Sequence, residues 1–178
     1  MKLDKVNIDS TIKEYLGKLD SIKLPAPPND VLLLMYSVKR KPLDSGPYLG
    51  VSFFEASNRI LSDLVILFGV RQLLRKTLIG KVQLPFGEYE VALGVEGGND
   101  LRATVGGRTL IGEAFNVAPS FFQTKKNSAI KKLKKRSADY RLLLFNSDAV
   151  NRPDSFLDKS EPSLLYLPVD VFRERSAG

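Results

Sequence analysis

Two acidic side chains flank a pair of glycines near the middle of the chain. Asp100 and Glu113 lie on either side of Gly106-Gly107, and the flanking segments are rich in residues that favour β-strands. Gly-Gly between such segments is typical of a two-residue hairpin, because both turn positions can take a positive φ. Centring the turn on the glycines places Asp100 directly opposite Glu113, on the same face of the hairpin.

Two facing carboxylates have a chemical consequence. Directly opposed like charges destabilise a hairpin by roughly 0.2–1 kcal/mol, and by more when buried. A divalent cation would offset the repulsion, and the pair would begin an oxygen cage for it. Two alternatives stay open: an exposed strand end where the pair costs little, or a proton shared between the acids, which would raise one pKa.

The composition narrows the chemistry further. The 178 residues include no histidine and no cysteine, which excludes Ser-His-Asp and Cys-His catalysis, disulfides and imidazole or thiolate zinc sites. Oxygen ligands must therefore hold any metal, which favours Mg²⁺, Mn²⁺ or Ca²⁺. No apolar run approaches the ~18–20 residues needed to span a bilayer, and the N-terminus lacks a signal-peptide core. We expect a cytoplasmic protein without a membrane partner.

Positive charge is concentrated in one short segment. The net charge is +7 with a sequence pI near 9.6, which favours polyanionic partners, nucleic acid first. The alternative is an ordinary solvated helix face. The cluster comprises Lys125, Lys126, Lys131, Lys132, Lys134, Lys135 and Arg136.

Apolar spacing predicts the elements that would position these residues. Helices are predicted for residues 5–20, 52–78 and 119–138, with the second apolar on most sides. Strands are predicted for residues 89–94, 100–105, 108–116 and 140–146, with an edge strand at 164–167. Residues 24–30 are a proline-rich break, 31–38 fit either a helix or a strand, and 39–50 are loop-like. This order predicts an α/β fold with helices on both faces of a mixed sheet.

An acid, a short hairpin and a glutamate on the next strand resemble the PD-(D/E)xK motif of restriction-endonuclease-like nucleases. The element order over residues 52–146 also resembles the αβββαβ core of that superfamily. In such enzymes the two acids hold Mg²⁺, and an acid on the first core helix often adds a ligand. The resemblance implies that Asp100, Glu113, Glu55 and the Ala114 carbonyl hold Mg²⁺ or Mn²⁺.

The motif departs from the family pattern at two positions. Asn99 replaces the proline, and Phe115 replaces the lysine that helps to activate water. Superfamily members are known in which this lysine lies on the next helix. Lys126 lies within the apolar stripe of that helix and is the predicted replacement, with Gln123 as its companion and Lys125 as the alternative. A lysine whose stem packs while its ammonium reaches solvent is the plainer explanation.

Glu55 also has a purely structural explanation. Ser52 and Glu55 have the spacing of a capping box, in which the glutamate bonds back to the cap residue. Against this, Asn58, Arg59 and Ser62 continue a polar stripe along a helix that is otherwise apolar. Such a stripe is typical of a helix that lines a cleft.

The sequence therefore predicts a metal-dependent nuclease acting on duplex DNA, of the restriction-endonuclease type. A catalytically inactive nucleic-acid-binding module on the same fold is the alternative, and a protein that binds an acidic partner is the third hypothesis. We expect one domain, with an N-terminal helical appendage at 1–50, a nuclease-like core at 51–147 and a C-terminal extension at 148–178. A homodimer is expected by analogy. Predicted phosphate contacts are Lys125, Lys131, Lys132, Lys134, Lys135, Arg136, Arg102 and Arg108.

Overall fold

A six-stranded mixed sheet forms the centre of the computed structural model, which describes residues 1–23, 30–94 and 98–176. The strands are β1 (Lys2–Asp4), β2 (Leu78–Ile79), β3 (Val82–Gln83), β4 (Glu88–Val91), β5 (Leu101–Val105), β6 (Arg108–Phe115), β7 (Tyr140–Asn146) and β8 (Leu165–Val169). The sheet order is β1-β4-β5-β6-β7-β8, and β2 pairs with β3 in a separate hairpin. The strands from β1 to β6 pair antiparallel, whereas β7 runs parallel to both β6 and β8.

Helices cover both faces of this sheet. They are α1 (Ile8–Asp20), α2 (Val31–Arg40), α3 (Phe53–Arg75), α4 (Phe122–Lys134), α5 (Asp154–Leu157) and α6 (Val171–Ser176). One apolar core joins α1 and α3 to the sheet, and a second joins α4 and Phe156 of α5 to the opposite face. The prediction of a mixed sheet flanked by helices is confirmed.

Helix α3 is the central support of the first core. The Ser52 side chain caps its N-terminus by accepting a hydrogen bond from the Glu55 N–H at 3.2 Å. Most of its residues from Ile60 onward are buried, because α1, α2 and the sheet surround it. A Cβ at Gly69 would lie 2.2 Å from the Leu144 side chain, so the glycine permits close contact between α3 and β7.

The hairpin between β5 and β6 has the predicted turn. Gly106 and Gly107 adopt φ values of +54° and +78°, as a two-residue turn requires. Ala103 pairs with Leu110, and the ladder continues to Leu101 opposite Gly112. The predicted hairpin register is therefore confirmed over these pairs.

Helix α4 packs on the sheet through the predicted apolar stripe. Phe122, Ala129 and Leu133 are buried against β6 and β7. The helix is shorter than predicted, since residues 119–121 form a 3₁₀ turn and the last helical residue is Lys134.

The two edges of the sheet come from the ends of the chain. Strand β1 was not predicted, whereas β8 lies at the opposite edge and confirms the predicted edge strand. Residues 1–50 and 148–178, predicted as additions to a core, thus each contribute one strand. Residues 31–38 belong to helix α2, and the predicted break at 24–30 lies mostly outside the described residues. Within the described part of the chain, no helix has the length and apolar content needed to cross a membrane.

Candidate active site

A cavity of about 370 Å³ lies where α3, the loop after β4, the end of β6 and the start of α4 meet. Asp100, Ala114 and Lys125 contribute to its wall from the sheet and α4. The wall on the side of α3 contains Asn58, Arg59, Ser62 and Asp63. The polar stripe predicted on α3 therefore faces this cavity.

Asp100 is held at the mouth of the hairpin by backbone contacts. It directly precedes β5, and its carbonyl accepts a hydrogen bond from the Ala92 N–H at 3.0 Å. Its Oδ2 accepts a second bond from the Ala114 N–H at 2.7 Å, which leaves Oδ1 without a donor among the described residues. Burial raises the pKa of Asp100, while the Ala114 N–H and the charges of Lys132 and Lys125 oppose that rise.

Glu113 lies on β6 across the hairpin from Asp100; it does not itself line the cavity, although its neighbours Ala114 and Phe115 do. It follows Gly112 in β6, and only 6% of the residue is exposed. Its Oε2 accepts a 2.7 Å hydrogen bond from Lys132, whereas Oε1 is buried and has no partner among the residues that the structure describes. Burial raises the pKa of Glu113, Lys132 lowers it, and the charge of Asp100 raises it further. The two acids thus interact electrostatically, with Lys132 acting on both.

This donor set is compatible with a small hard cation. Glu113 Oε1 is an orphaned buried acceptor, which costs free energy unless a cation or a donor reaches it. Two carboxylates and a backbone carbonyl suit Mg²⁺ or Mn²⁺, which keep several water ligands. Among the residues that the structure describes, no three acidic side chains form a ready-made metal cluster. The residues fit a partly hydrated ion rather than a closed protein cage.

Glu55 lies outside this group. Its Oε1 accepts a 2.7 Å bond from Arg59 in an exposed i,i+4 ion pair, and Glu55 is not among the residues that line the cavity. Eight residues of helix separate it from Asp63, a rise of roughly 12 Å. Of the predicted capping box, the hydrogen bond that the Glu55 backbone N–H donates to Ser52 Oγ is present.

Asp63 is the acid of α3 that does reach the cavity, and it was not predicted from the sequence. It is 3% exposed and accepts hydrogen bonds from the Tyr15 hydroxyl at 2.6 Å, the Tyr48 hydroxyl and the Gly94 N–H at 3.2 Å. Burial raises the pKa of Asp63, and it also raises the pKa of both tyrosine hydroxyls. With three donors, the carboxylate positions the cavity wall. A single acid within the apolar run from Ile60 to Val70 was the signal available in the sequence.

The lysines of α4 point to different surroundings. Lys126 Nζ lies 5.9 Å from the ring centroid of Phe122 and 5.7 Å from that of Phe156, away from the cavity lining. Lys125, the alternative candidate, lines the cavity. Successive helical residues differ by about 100° in direction, so one position separates an aromatic contact from the site. Gln123 is exposed and donates a 3.1 Å hydrogen bond to Asn127.

Most of the predicted phosphate-binding side chains are exposed. Lys132 differs, since it is half-buried and paired with Glu113. The exposed ones are Lys125, Lys131, Lys134, Lys135, Arg136, Arg102 and Arg108. They give α4 and the β5–β6 hairpin a cationic surface, and Lys125 is the member of this group that lines the cavity.

No family model matches the chain, and neither a curated protein nor a solved structure is significantly similar to it. A function for the protein is therefore inferred from the site itself.

Proposed function

We propose that the protein is a metal-dependent nuclease that hydrolyses phosphodiester bonds in DNA, a divergent member of the restriction-endonuclease-like kind. The observation that carries this proposal is the pair Asp100 and Glu113. Glu113 is buried and Asp100 half-buried at one end of a hairpin, and Glu113 Oε1 is buried with no hydrogen-bond partner among the described residues. A cation would satisfy that oxygen and offset the repulsion between the acids.

The order of elements supports the same assignment. From α3 the chain continues through β4, β5 and β6 to α4 and β7, with β6 and β7 parallel. Over the described residues this is the order αβββαβ, with the β2–β3 hairpin inserted after α3 and a 3₁₀ turn before α4. Asp100 precedes the second strand of that series, and Glu113 lies on the third, as the resemblance to PD-(D/E)xK nucleases requires.

The roles of the site residues follow from their contacts. Asp100, Glu113 and the Ala114 carbonyl would hold Mg²⁺ or Mn²⁺. The bound ion would lower the pKa of a water molecule and neutralise charge on the scissile phosphate. We assign the orienting cation to Lys125 rather than Lys126, because Lys125 lines the cavity beside Asp100.

The position of Phe115 explains why the cation must come from α4. Its ring lies 5.9 Å from that of Phe122 and 6.2 Å from that of Phe145, measured between centroids. A lysine at this place on β6 would be buried among aromatic rings without a counterion. The aromatic cluster therefore supports a lysine from the helix as the functional replacement.

The cationic surface supports DNA as the polymer. Lys131, Lys134, Lys135 and Arg136 lie at the C-terminal end of the same helix that brings Lys125 to the cavity. Phosphate contacts along this end would place a backbone across the site and make binding dependent on salt.

One contact favours a second candidate, an inactive nucleic-acid-binding module. Lys132 donates to Glu113 at 2.7 Å and already supplies a positive charge between the two acids. Such an internal ammonium can replace a metal ion as a counterion. Under this alternative the acids would be structural, and DNA binding would not depend on divalent ions.

Cleavage of supercoiled plasmid and linear duplex in Mg²⁺ or Mn²⁺ tests the proposal. We expect Asp100→Asn and Glu113→Gln to lose activity by about 10²-fold or more, since metal binding contributes several kcal/mol to transition-state stabilisation. Asp20→Asn, at an exposed acid that ends α1, is the matched control and should cleave normally. Cleavage that survives both site variants would contradict the proposal.

The adjacent lysines provide an internal comparison in the same assay. Lys125→Met should lower the cleavage rate strongly, whereas Lys126→Met should affect it little and act mainly on packing against Phe122 and Phe156. The reverse result would return the role to Lys126.

A further inference from the structure

Helix α2 presents a large apolar face that the described residues do not cover. Five of its side chains are between 52% and 75% exposed, which is unusual for neighbouring residues of this type. They are Val31, Leu32, Leu33, Met35 and Tyr36. The opposite side of the helix, with Leu34, Ser37 and Val38 half-buried, is the side in contact with α3.

This face is part of a formed helix. The Asp30 side chain caps α2 by accepting hydrogen bonds from the Leu32 N–H at 2.8 Å and the Leu33 N–H at 3.2 Å. At the other end, the Lys41 N–H bonds to the Ser37 carbonyl at 3.0 Å. A helix fixed at both ends and packed on α3 offers a preorganised surface to a partner.

The charges on α2 are separated toward its two ends. Residues 31–38 contain no charged side chain, while Asp30 precedes them and Lys39 and Arg40 follow. Lys39 also lies 5.6 Å from the ring centroid of Phe54, whose side chain is itself exposed, so the apolar surface continues onto the start of α3.

We propose that the exposed face of α2, from Val31 to Tyr36, is a homodimer interface that packs antiparallel against α2 of a second copy. A two-fold interface must be complementary to itself, because both copies use the same surface patch and every contact occurs twice, once in each direction. Antiparallel packing places Asp30 of one copy opposite Lys39 and Arg40 of the other. It also opposes the two helix dipoles, and it buries the uncharged middle of both helices.

The same features disfavour other occupants of this face. A nucleic-acid surface would need cations along the helix, and residues 31–38 have none. A helix lying on a membrane would carry basic side chains on the side opposite its apolar face, whereas that side of α2 carries Leu34, Ser37 and Val38 and is packed on α3. Charge complementarity between the two ends of α2 selects a second copy of the chain.

The interface is small, so the dimer should be concentration-dependent. A ten-residue helix is roughly 15 Å long, and such a contact buries less than a standard protein interface. We expect a dissociation constant on the order of 1–100 µM. None of the five apolar residues lines the cavity beside Asp100, so this proposal stands or fails independently of nuclease activity.

Sedimentation of the full chain over about 1 µM to 1 mM tests the interface. We expect the wild type to shift from monomer to dimer with concentration, and Leu32→Glu to stay monomeric while keeping its circular dichroism spectrum. Val6→Glu is the control, because Val6 is 91% exposed in the turn between β1 and α1, outside the proposed interface, and should leave the dimer unchanged. Asp30→Asn, which preserves a capping residue, should weaken the dimer most at low salt.

Cysteine cross-linking fixes the orientation of the helices. The chain contains no cysteine, so a single introduced thiol reports on one contact. Met35 lies near the middle of α2, where an antiparallel pair brings symmetry-related residues together. Met35→Cys should oxidise to a covalent dimer much faster than Val6→Cys. A wild type that stays monomeric throughout, or a dimer that ignores Leu32→Glu and cross-links equally through both cysteines, would overturn the proposal.

Discussion

At the scale of single residues, the decisive feature is a pair of carboxylates on facing strands, in which the charge of Asp100 raises the pKa of Glu113. Burial and mutual repulsion raise the pKa of Glu113, and the Lys132 ammonium opposes both. Lys132 is 42% exposed at its side chain, whereas the Glu113 side chain is only 8% exposed. The lysine can therefore move into solvent far more easily than the glutamate, which would leave Glu113 available to another cation.

The contribution of this ion pair to stability can be measured. Lys132→Met should lower the free energy of unfolding by about 1–2 kcal/mol, because Glu113 is left buried without its donor; exposure of the lysine keeps the loss below that of a fully buried pair. Urea unfolding of Lys132→Met, Glu113→Gln and the double variant gives the coupling between the two residues. Lys131→Met, at the adjacent exposed lysine, is the control. If Lys132→Met lowers the free energy of unfolding equally in the wild type and in Glu113→Gln, the ion pair contributes nothing to stability.

At the scale of elements, the hairpin turn fixes which residues face each other. The Gly-Gly signal predicted the register from sequence, because few other residues adopt positive φ at both turn positions. Gly107 has a φ of +78° and no atom within 4 Å of a Cβ built on it, so the requirement there is purely conformational.

Two glycine substitutions separate conformation from packing. Gly107→Ala should destabilise the protein by about 1–2 kcal/mol, since an alanine is strained at positive φ. Gly17 in α1 is equally uncrowded but has no positive φ, so Gly17→Ala should stabilise by about 0.5–1 kcal/mol. Thermal or urea unfolding measures both, and changes of the same sign would contradict the assigned turn.

Sequence patterns predicted long elements better than short ones. The apolar stripe of α4 and the continuous run of β7 depend on local periodicity, so both were found. Strand β1 has only three residues and exists because Lys2, Leu3 and Asp4 pair with β4, whose residues are far away in the chain. No local pattern records such a pairing.

The candidate site was predicted in part for a related reason. Asp100 and Glu113 could be paired because one turn connects them. Asp63 meets Tyr15 and Tyr48 across separations of 48 and 15 residues, and only the fold brings those elements together. The choice between Lys125 and Lys126 required the rotation of α4 about its axis, which the apolar stripe fixes only to within one residue.

At the scale of the whole molecule, the net charge of +7 is arranged unevenly. The exposed lysines of α4 and the arginines of the hairpin concentrate positive charge on one helix and one hairpin, and Lys125 of this group lines the cavity. This surface should attract a polyanion. This distribution predicts that DNA affinity will fall steeply with salt.

Neutralising part of α4 should reduce that dependence. We expect a triple Lys→Gln variant at the end of α4 to lower the slope of log K against log salt by about 2–3, close to 0.9 for each phosphate that the protein no longer neutralises. Fluorescence anisotropy with a labelled duplex measures the slope. The triple variant of α4 changes Lys131, Lys134 and Lys135. A control with the same change in charge uses the exposed residues Lys5, Lys13 and Lys23. Equal slopes for the two triple variants would show a nonspecific effect of net charge.

Divalent-ion binding tests the central claim most directly. The proposed nuclease must bind a divalent ion, whereas an inactive module need not, and binding can be measured separately from cleavage. Mn²⁺ binding to the chain with a bound duplex can be followed by electron paramagnetic resonance for the wild type, Asp100→Asn, Glu113→Gln and the Asp20→Asn control. We expect the wild type and the control to bind Mn²⁺, and both site variants to lose at least about tenfold in affinity. Binding that is absent from the folded wild type, or unchanged in both site variants, would contradict a metal centre at the hairpin.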